Sequence, residues 1–323
     1  MYKHQIRVGE IYMSKTSVKR IVDTINKKLK TNISIGSEDA LEIKRISTGI
    51  PSFDQALGGG IPRQSVTEFY GYQSSGKTFV AQRIMAHAQS QGMQCALIDA
   101  EFSYDPIWAE KIGMNVEELI VSRPDTGEVA LDVLLGLCDA GVDIIVLDSI
   151  AALLPTAEAA GGMDDMQMGS QARLMNKLFR KLPIVNKKTA VIMINQIRAG
   201  IGGYVTREAL PGGKGQEFFS RIMVRVKKSE SIGDKGFYID MRCDKNKTHQ
   251  PMLECRIPFY YSGESDPVYE LFTTAIDLEI VERRGATYQF EGAKAVGKDN
   301  FVSLMKENNE LLTNVTDKVR SLV

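Results

Sequence analysis

The stretch Gly71-Tyr-Gln-Ser-Ser-Gly-Lys-Thr78 constrains this chain more than any other eight residues in it. It satisfies the pattern GxxxxGK[ST] and lies between an apolar run that reads as a strand, Ser65–Tyr70, and a helical pattern, Thr78–Ser90. Glycines at both ends let the backbone fold back, so that N–H groups point inward around an anion. The helix that follows turns its positive end to the same place. Lys77 supplies a charge for β- and γ-phosphates, and the Thr78 hydroxyl suits Mg²⁺. Gly71, Ser74, Ser75, Gly76, Lys77, Thr78 and Phe79 are therefore expected around a nucleotide.

A phosphate loop of this kind needs a carboxylate for its metal. Asp143-Ile-Ile-Val-Leu-Asp148 is an apolar strand that ends in one, which suits Asp148 to the Walker-B role. A second apolar strand, Gln94–Asp99, runs into Glu101, at the sheet edge where open α/β folds bind ligands. From there Glu101 can orient or deprotonate an attacking water. A further strand, Thr189–Asn195, runs into Gln196, an uncharged sensor for a γ-phosphate. Four strand ends converge on one nucleotide, which makes the chain an NTPase with a place for Mg²⁺.

The helical patterns Glu128–Ala140 and Gln171–Asn186 alternate with these strands, implying right-handed crossovers and a mainly parallel sheet covered on both faces. After Phe218 three strand-like runs follow without helices between them, as expected of antiparallel additions at one edge. Near the start, Val18, Ile21, Val22, Ile25 and Leu29 recur at helical spacing, an amphipathic stripe that needs a partner. The expected division is 1–35 for the N-terminal helix and linker, 36–262 for the ATPase core and 263–323 for a small C-terminal domain. Cys95, Cys138, Cys243 and Cys255 form no CxxC pair, so zinc and disulfides are not expected. No stretch reaches the roughly 20 apolar residues of a membrane span, and the first residues lack the apolar segment of a secretory signal. A cytoplasmic setting is the expectation.

GYQSSGKT, IDAEFSYDP, SRPDTGE, IIVLDSIAAL, MGSQARLMNK, INQIR, Gly212-Gly213 and DKNK occur in this order, and with them the chain resembles the bacterial RecA recombinases. The resemblance runs from about Ser47 to the C-terminus. It implies an α/β P-loop NTPase with a RecA-like core, an N-terminal polymerisation helix and a small α+β C-terminal domain. It further implies an ssDNA-dependent ATPase that forms helical filaments on single-stranded DNA and exchanges strands with homologous double-stranded DNA. DNA repair, the SOS response, and loader or repressor proteins as further partners belong to the same expectation. By resemblance, Lys77, Glu101 and Gln196 serve catalysis, while Thr78 and Asp148 hold the metal. Asp105 and Trp108 meet the adenine, Trp108 standing where Tyr is usual. Lys245 and Lys247 reach the ATP of the neighbouring subunit, and their i, i+2 spacing puts both on one strand face. Two Gly-rich loops, one after Pro155 and one from Arg198 to Gly213, carry DNA. Met168, Arg173, Asn176, Arg180, Arg198, Gly212 and Gly213 match DNA-contacting positions, with Lys214 in place of Asn. Tyr204 is the only ring in the second loop and can stack on bases.

The departures from the family pattern are Gln73 for a Glu in the phosphate loop, Ala199-Gly200 for a bulky residue and a Lys, and no acidic tail after Val323. They suggest a divergent member of mobile-element or phage type, less dependent on activation. A hexameric helicase or motor shares the core fold but not the DKNK and SRPDTGE segments. A regulatory or clock-type ATPase would show tandem cores, and this chain has one phosphate loop.

Charge adds a last reading. The whole chain balances 40 basic against 40 acidic residues, which argues superficially against nucleic acid. Residues 99–165, however, hold 15 acidic and 2 basic residues, and residues 171–228 hold 13 basic and 2 acidic. The basic segment is the one with the DNA helix and the second loop, where counterion release drives binding.

Overall fold

The computed structural model describes residues 15–37, 41–161, 169–199 and 208–322. The chain divides into two compact units, Met1–Lys44 and Arg45–Val323. The first contains helix α1 (Lys15–Leu29), whose stripe is little covered: Ile21 is 48% and Leu29 61% exposed. Its end is closed by Asn26, which accepts from the Ile33 N–H and donates to the Ile33 carbonyl.

The second unit is built on an eight-stranded sheet. Its strands are β1 (Ser65–Gly71), β2 (Cys95–Asp99), β3 (Ile120–Ser122), β4 (Ile144–Asp148), β5 (Ala190–Gln196), β6 (Ile222–Ser231), β7 (Gly236–Asn246) and β8 (Glu254–Tyr260). Their order across the sheet is β8-β7-β6-β1-β5-β4-β2-β3. The six strands from β6 to β3 are parallel, and β7 and β8 add antiparallel at the β6 edge, as expected from the loss of intervening helices. β2 and β4 are buried at every residue, which is why they read as continuous apolar runs rather than alternating ones. β3 is only three residues long, too short to show a period in the sequence.

Helix α2 (Lys77–Ser90) packs on one face of the sheet, with Phe69, Ile84, Met85, Ile192 and Val224 in its core. Helices α3 (Gly127–Asp139) and α4 (Ser170–Val185) cover the other, around Leu134, Ile145, Phe179 and Met193. Thr126 caps α3, its hydroxyl accepting from the Val129 N–H. Past β8 the chain has its own small core of Phe272, Tyr288, Phe301 and Val315. Here three short antiparallel strands lie between helices, the α+β arrangement expected of this part. Arg83 of α2 and Glu270 tie this part to the sheet through a two-pronged ion pair at 2.8 and 3.0 Å, with side chains 9% and 3% exposed.

Candidate nucleotide and DNA site

The phosphate loop leaves the C-terminal end of β1 and enters α2, as the motif requires. Ser74 and Gly76 take positive φ values of 56° and 96°. Gly71 has no room for a side chain, since a Cβ would sit 2.1 Å from the Val226 carbonyl oxygen. The loop therefore lies flush against β6, with N–H groups and the start of α2 facing one cavity of about 390 Å³.

Lys77 is buried, and its Nζ donates to the carbonyls of Gly71 (3.1 Å) and Tyr72 (2.7 Å). Desolvation lowers its pKa, against the pull of Asp148 and Glu101. Thr78 Oγ1 donates to Asp148 Oδ2 at 2.7 Å, so a hydroxyl and a carboxylate stand side by side at the end of β4. Burial raises the Asp148 carboxyl to about 7, with Glu101 and Asp99 adding like-charge repulsion and Thr78 opposing the rise. Burial thus favours a proton, or a cation in its place, on this carboxyl. Hard oxygen donors in this arrangement fit Mg²⁺, which usually takes one or two protein ligands and completes its shell with phosphate and water.

Glu101 also faces the cavity. Its Oε1 accepts from Ser149 Oγ and, at 2.7 Å, from Gln196 Nε2. The structure thus brings Lys77, Thr78, Asp148, Glu101 and Gln196 to one cavity. Asp105 and Trp108 line the same cavity, as do the apolar rings of Phe79, Phe237 and Phe259. Phe259 meets Phe79 edge-on at 4.7 Å and lies 6.1 Å from the Trp108 ring. Asp105 also caps the helix Pro106–Lys111, accepting from the Ile107 N–H at 2.9 Å. Gln73, a departure from the family pattern, lines the cavity too.

Sequence reasoning missed several groups. Asp99 looked like another strand-end acid, yet it is buried and accepts from the Ser103 and Tyr104 N–H groups and from Arg123 Nε, all at 3.0–3.1 Å. It pins the turn that carries Glu101. Ser149 gave no signal beyond following Asp148. Phe237 and Phe259 come from the antiparallel edge strands, and only the topology brings them near the phosphate loop.

Lys245 and Lys247 do not line this cavity. They point together at the short helix α5 (Gly215–Phe219), donating to the Glu217 carbonyl and, at 2.7 Å, to the Phe218 carbonyl. On the basic face, Arg173 and Arg180 are exposed on α4, with Asn176 between them. The stem of the second loop packs on this helix. A Cβ on Gly213 would come 2.8 Å from Ala172 Cβ, and one on Gly215 would come 2.1 Å from Asn176 Oδ1. Gly212 and Gly213 take φ values of 88° and 77°, which only glycine adopts without strain. Arg198 starts a two-residue ladder with Glu208–Ala209, and Arg198 and Lys214 are both exposed. Met168, Tyr204 and Gly200 lie outside the described residues.

With this geometry in hand, the comparisons with known proteins are specific. The model of the RecA N-terminal domain matches residues 16–265, and that of the RecA C-terminal domain matches residues 269–323. Protein RecA of Thermus aquaticus is 39% identical over 316 residues, covering 94% of this chain and 93% of its own. Protein RecA of Bacillus subtilis (strain 168) is 38% identical over 298 residues, covering 89% and 86%. Protein RecA of Clostridium novyi (strain NT) is 39% identical over 298 residues, covering 89% and 85%. A phosphate loop, a Thr78–Asp148 pair and a Glu101–Gln196 pair in one cavity, matched over nearly the full chain, place this protein in the RecA family.

Proposed function

We propose that the protein is a DNA-dependent ATPase and homologous recombinase that assembles as a filament on single-stranded DNA. The observation that carries this reading is the hydrogen bond from Gln196 to Glu101. It joins the strand that opens into the basic second loop to the carboxylate at the nucleotide cavity. Lys77 and the loop N–H groups bind the phosphates of ATP, and the aromatic lining with Trp108 and Asp105 takes the base. Thr78 and Asp148 would hold Mg²⁺, which would supply neutralisation of the charge on the transferring group. Glu101 uses Oε2, which neither Gln196 nor Ser149 engages, to receive the proton of the attacking water. Arg173, Asn176, Arg180, Arg198, Lys214 and the N–H groups of Gly212 and Gly213 grip the DNA backbone, with Met168 and Tyr204 in the loops beyond.

Lys245 and Lys247 act on the ATP of a neighbouring subunit, in keeping with their absence from the cavity of their own. The open stripe of α1 docks on a neighbouring core. Of the division into 1–35, 36–262 and 263–323, the last boundary is supported by the separate core around Phe272 and Phe301, while the compact units divide at Lys44 and Arg45 rather than at 35. No helix among the described residues is long and apolar enough to cross a membrane.

Glu101→Gln tests the central role. The variant should bind ATP and assemble on single-stranded DNA while hydrolysing at least about 100-fold more slowly, the usual worth of a general base. Wild-type turnover would overturn the assignment, and particles indifferent to DNA in electron micrographs would overturn the recombinase reading.

A further inference from the structure

Beneath Gln196 lies a buried polar cluster that the reading above leaves unused. Glu68, on the central strand β1, is 0% exposed. Its Oε1 accepts from Asn195 Nδ2 at 3.0 Å and its Oε2 from Ser220 Oγ at 3.2 Å. Asn195 Nδ2 also reaches the Pro211 carbonyl and Gln216 Oε1, each at 3.1 Å. Gln216 Nε2 donates to the same Pro211 carbonyl at 2.8 Å. Asn195 Oδ1 accepts from the Gln196 N–H at 2.9 Å. Gln216 and Asn195 are themselves fully buried.

The arrangement contains a competition. An amide nitrogen has two hydrogens, and Asn195 Nδ2 faces three acceptors. One acceptor is a carboxyl, one is the backbone of the second loop's stem, and one is the side chain of α5. An ionised Glu68 is the strongest of the three, because a charged acceptor makes the stronger bond. It then draws one N–H fully to itself and leaves the other to be shared. A neutral Glu68 lets both hydrogens go to Pro211 and Gln216, which clamps the stem.

We propose that Glu68 is a positioning residue of the DNA-coupled ATPase: through Asn195 it sets how firmly the stem at Pro211–Gly213 is clamped beside Gln196. The stem is clamped when Glu68 is neutral and released to follow DNA when Glu68 is ionised. This rests on the ATPase and DNA roles proposed above.

The chemistry of the site suits such a control. Burial raises the Glu68 carboxyl to about 7, the bonds from Asn195 and Ser220 oppose the rise, Glu217 of α5 adds to it and Lys245 of β7 opposes it. Both forms are therefore populated near neutral pH. The carboxyl touches neither the nucleotide cavity nor the exposed basic residues, so its effect is confined to coupling.

The test is the ratio of DNA-stimulated to DNA-free ATP hydrolysis across pH, for the full chain with poly(dT) as the single strand. Taking the ratio cancels titration within the nucleotide cavity. Wild type should show a ratio that rises through about pH 7, by about fivefold. Glu68→Gln should keep the DNA-free rate and the KM for ATP, and give a low ratio that no longer varies with pH. Ser220→Ala removes a bond that favours the ionised form, so its inflection should move to higher pH, and it serves if Glu68→Gln does not fold. A wild-type rise left unchanged in these variants overturns the proposal, as does a ratio that falls with pH. Equal loss of the DNA-free and stimulated rates in both variants shows a merely structural role and overturns it too. Absence of any DNA stimulation in wild type, at every pH, would instead strike the proposed function itself.

Discussion

At the scale of single residues, the site is governed by what burial does to charge. Burial, with the like charges of Glu101 and Asp99, holds Asp148 near 7 against the bond from Thr78, so a proton and a metal ion compete for the same oxygens. Metal-dependent nucleotide binding should therefore weaken as pH falls below about 7, by up to about tenfold per unit. Trp108 is the chain's single Trp and lines the cavity, so its fluorescence during titration with Mg²⁺ and an ATP analogue reads this directly. Binding that is flat from about pH 6 to about pH 8 would contradict the assignment. The stability effect has the opposite sign. A carboxyl whose pKa is raised by folding stabilises the nucleotide-free protein below its ordinary range and loses that contribution as pH rises through about 7. Asp148→Asn should thus flatten the decline of Tm between mildly acidic and mildly alkaline buffer while abolishing the metal effect.

At the scale of elements, the site is a set of strand ends, and that is the part the residues announce. β1, β4 and β5 are nearly all buried, so their apolar runs stop where the chain must turn polar, at the phosphate loop, Asp148 and Gln196. The groups that escaped notice belong to tertiary placement. Asp99 and Glu101 both end the same run, and nothing local tells that Asp99 turns inward to Arg123 while Glu101 faces the cavity. Glu68 looks like the polar interruption of an ordinary strand, and its partners Asn195 and Ser220 are 127 and 152 residues away in the chain. Lys245 and Lys247 illustrate the reverse. Their spacing was legible, while their hold on the last carbonyls of α5 was not. Replacing both with Ala should leave the melting temperature of the free protein within a few degrees, as exposed contacts contribute little. The same change should abolish cooperative filament assembly in electron micrographs with DNA and a non-hydrolysable ATP analogue. Normal filaments would show that these lysines do not reach a neighbour's nucleotide.

At the scale of the whole molecule, the zero net charge conceals a polarity along the chain. The segment with α4, the second loop and β6 is basic, and the segment with the carboxylate-bearing strand ends is acidic. Binding to single-stranded DNA should accordingly weaken steeply with salt, with a log–log slope of about −0.7 for each phosphate neutralised. Anisotropy titrations with labelled oligonucleotide at several salt concentrations measure it. Arg180→Ala should make that slope shallower by about one contact, whereas an unchanged slope would remove α4 from the DNA surface. The ion pair of Arg83 with Glu270 belongs to the same scale. It joins the helix that begins at the phosphate loop to the small C-terminal core, and both charges are out of water. Arg83→Ala strands the Glu270 carboxylate and should cost about 3–5 kcal/mol, read by denaturant unfolding, while Arg83→Leu together with Glu270→Leu should recover most of it. The consequence concerns melting. The C-terminal core cannot come loose without abandoning a charge on the helix that starts at Lys77, so warming should dissolve both parts in one calorimetric peak. Saturating nucleotide at the loop should move that single peak upward and raise the heat tolerance of a distant lobe that never touches the ligand.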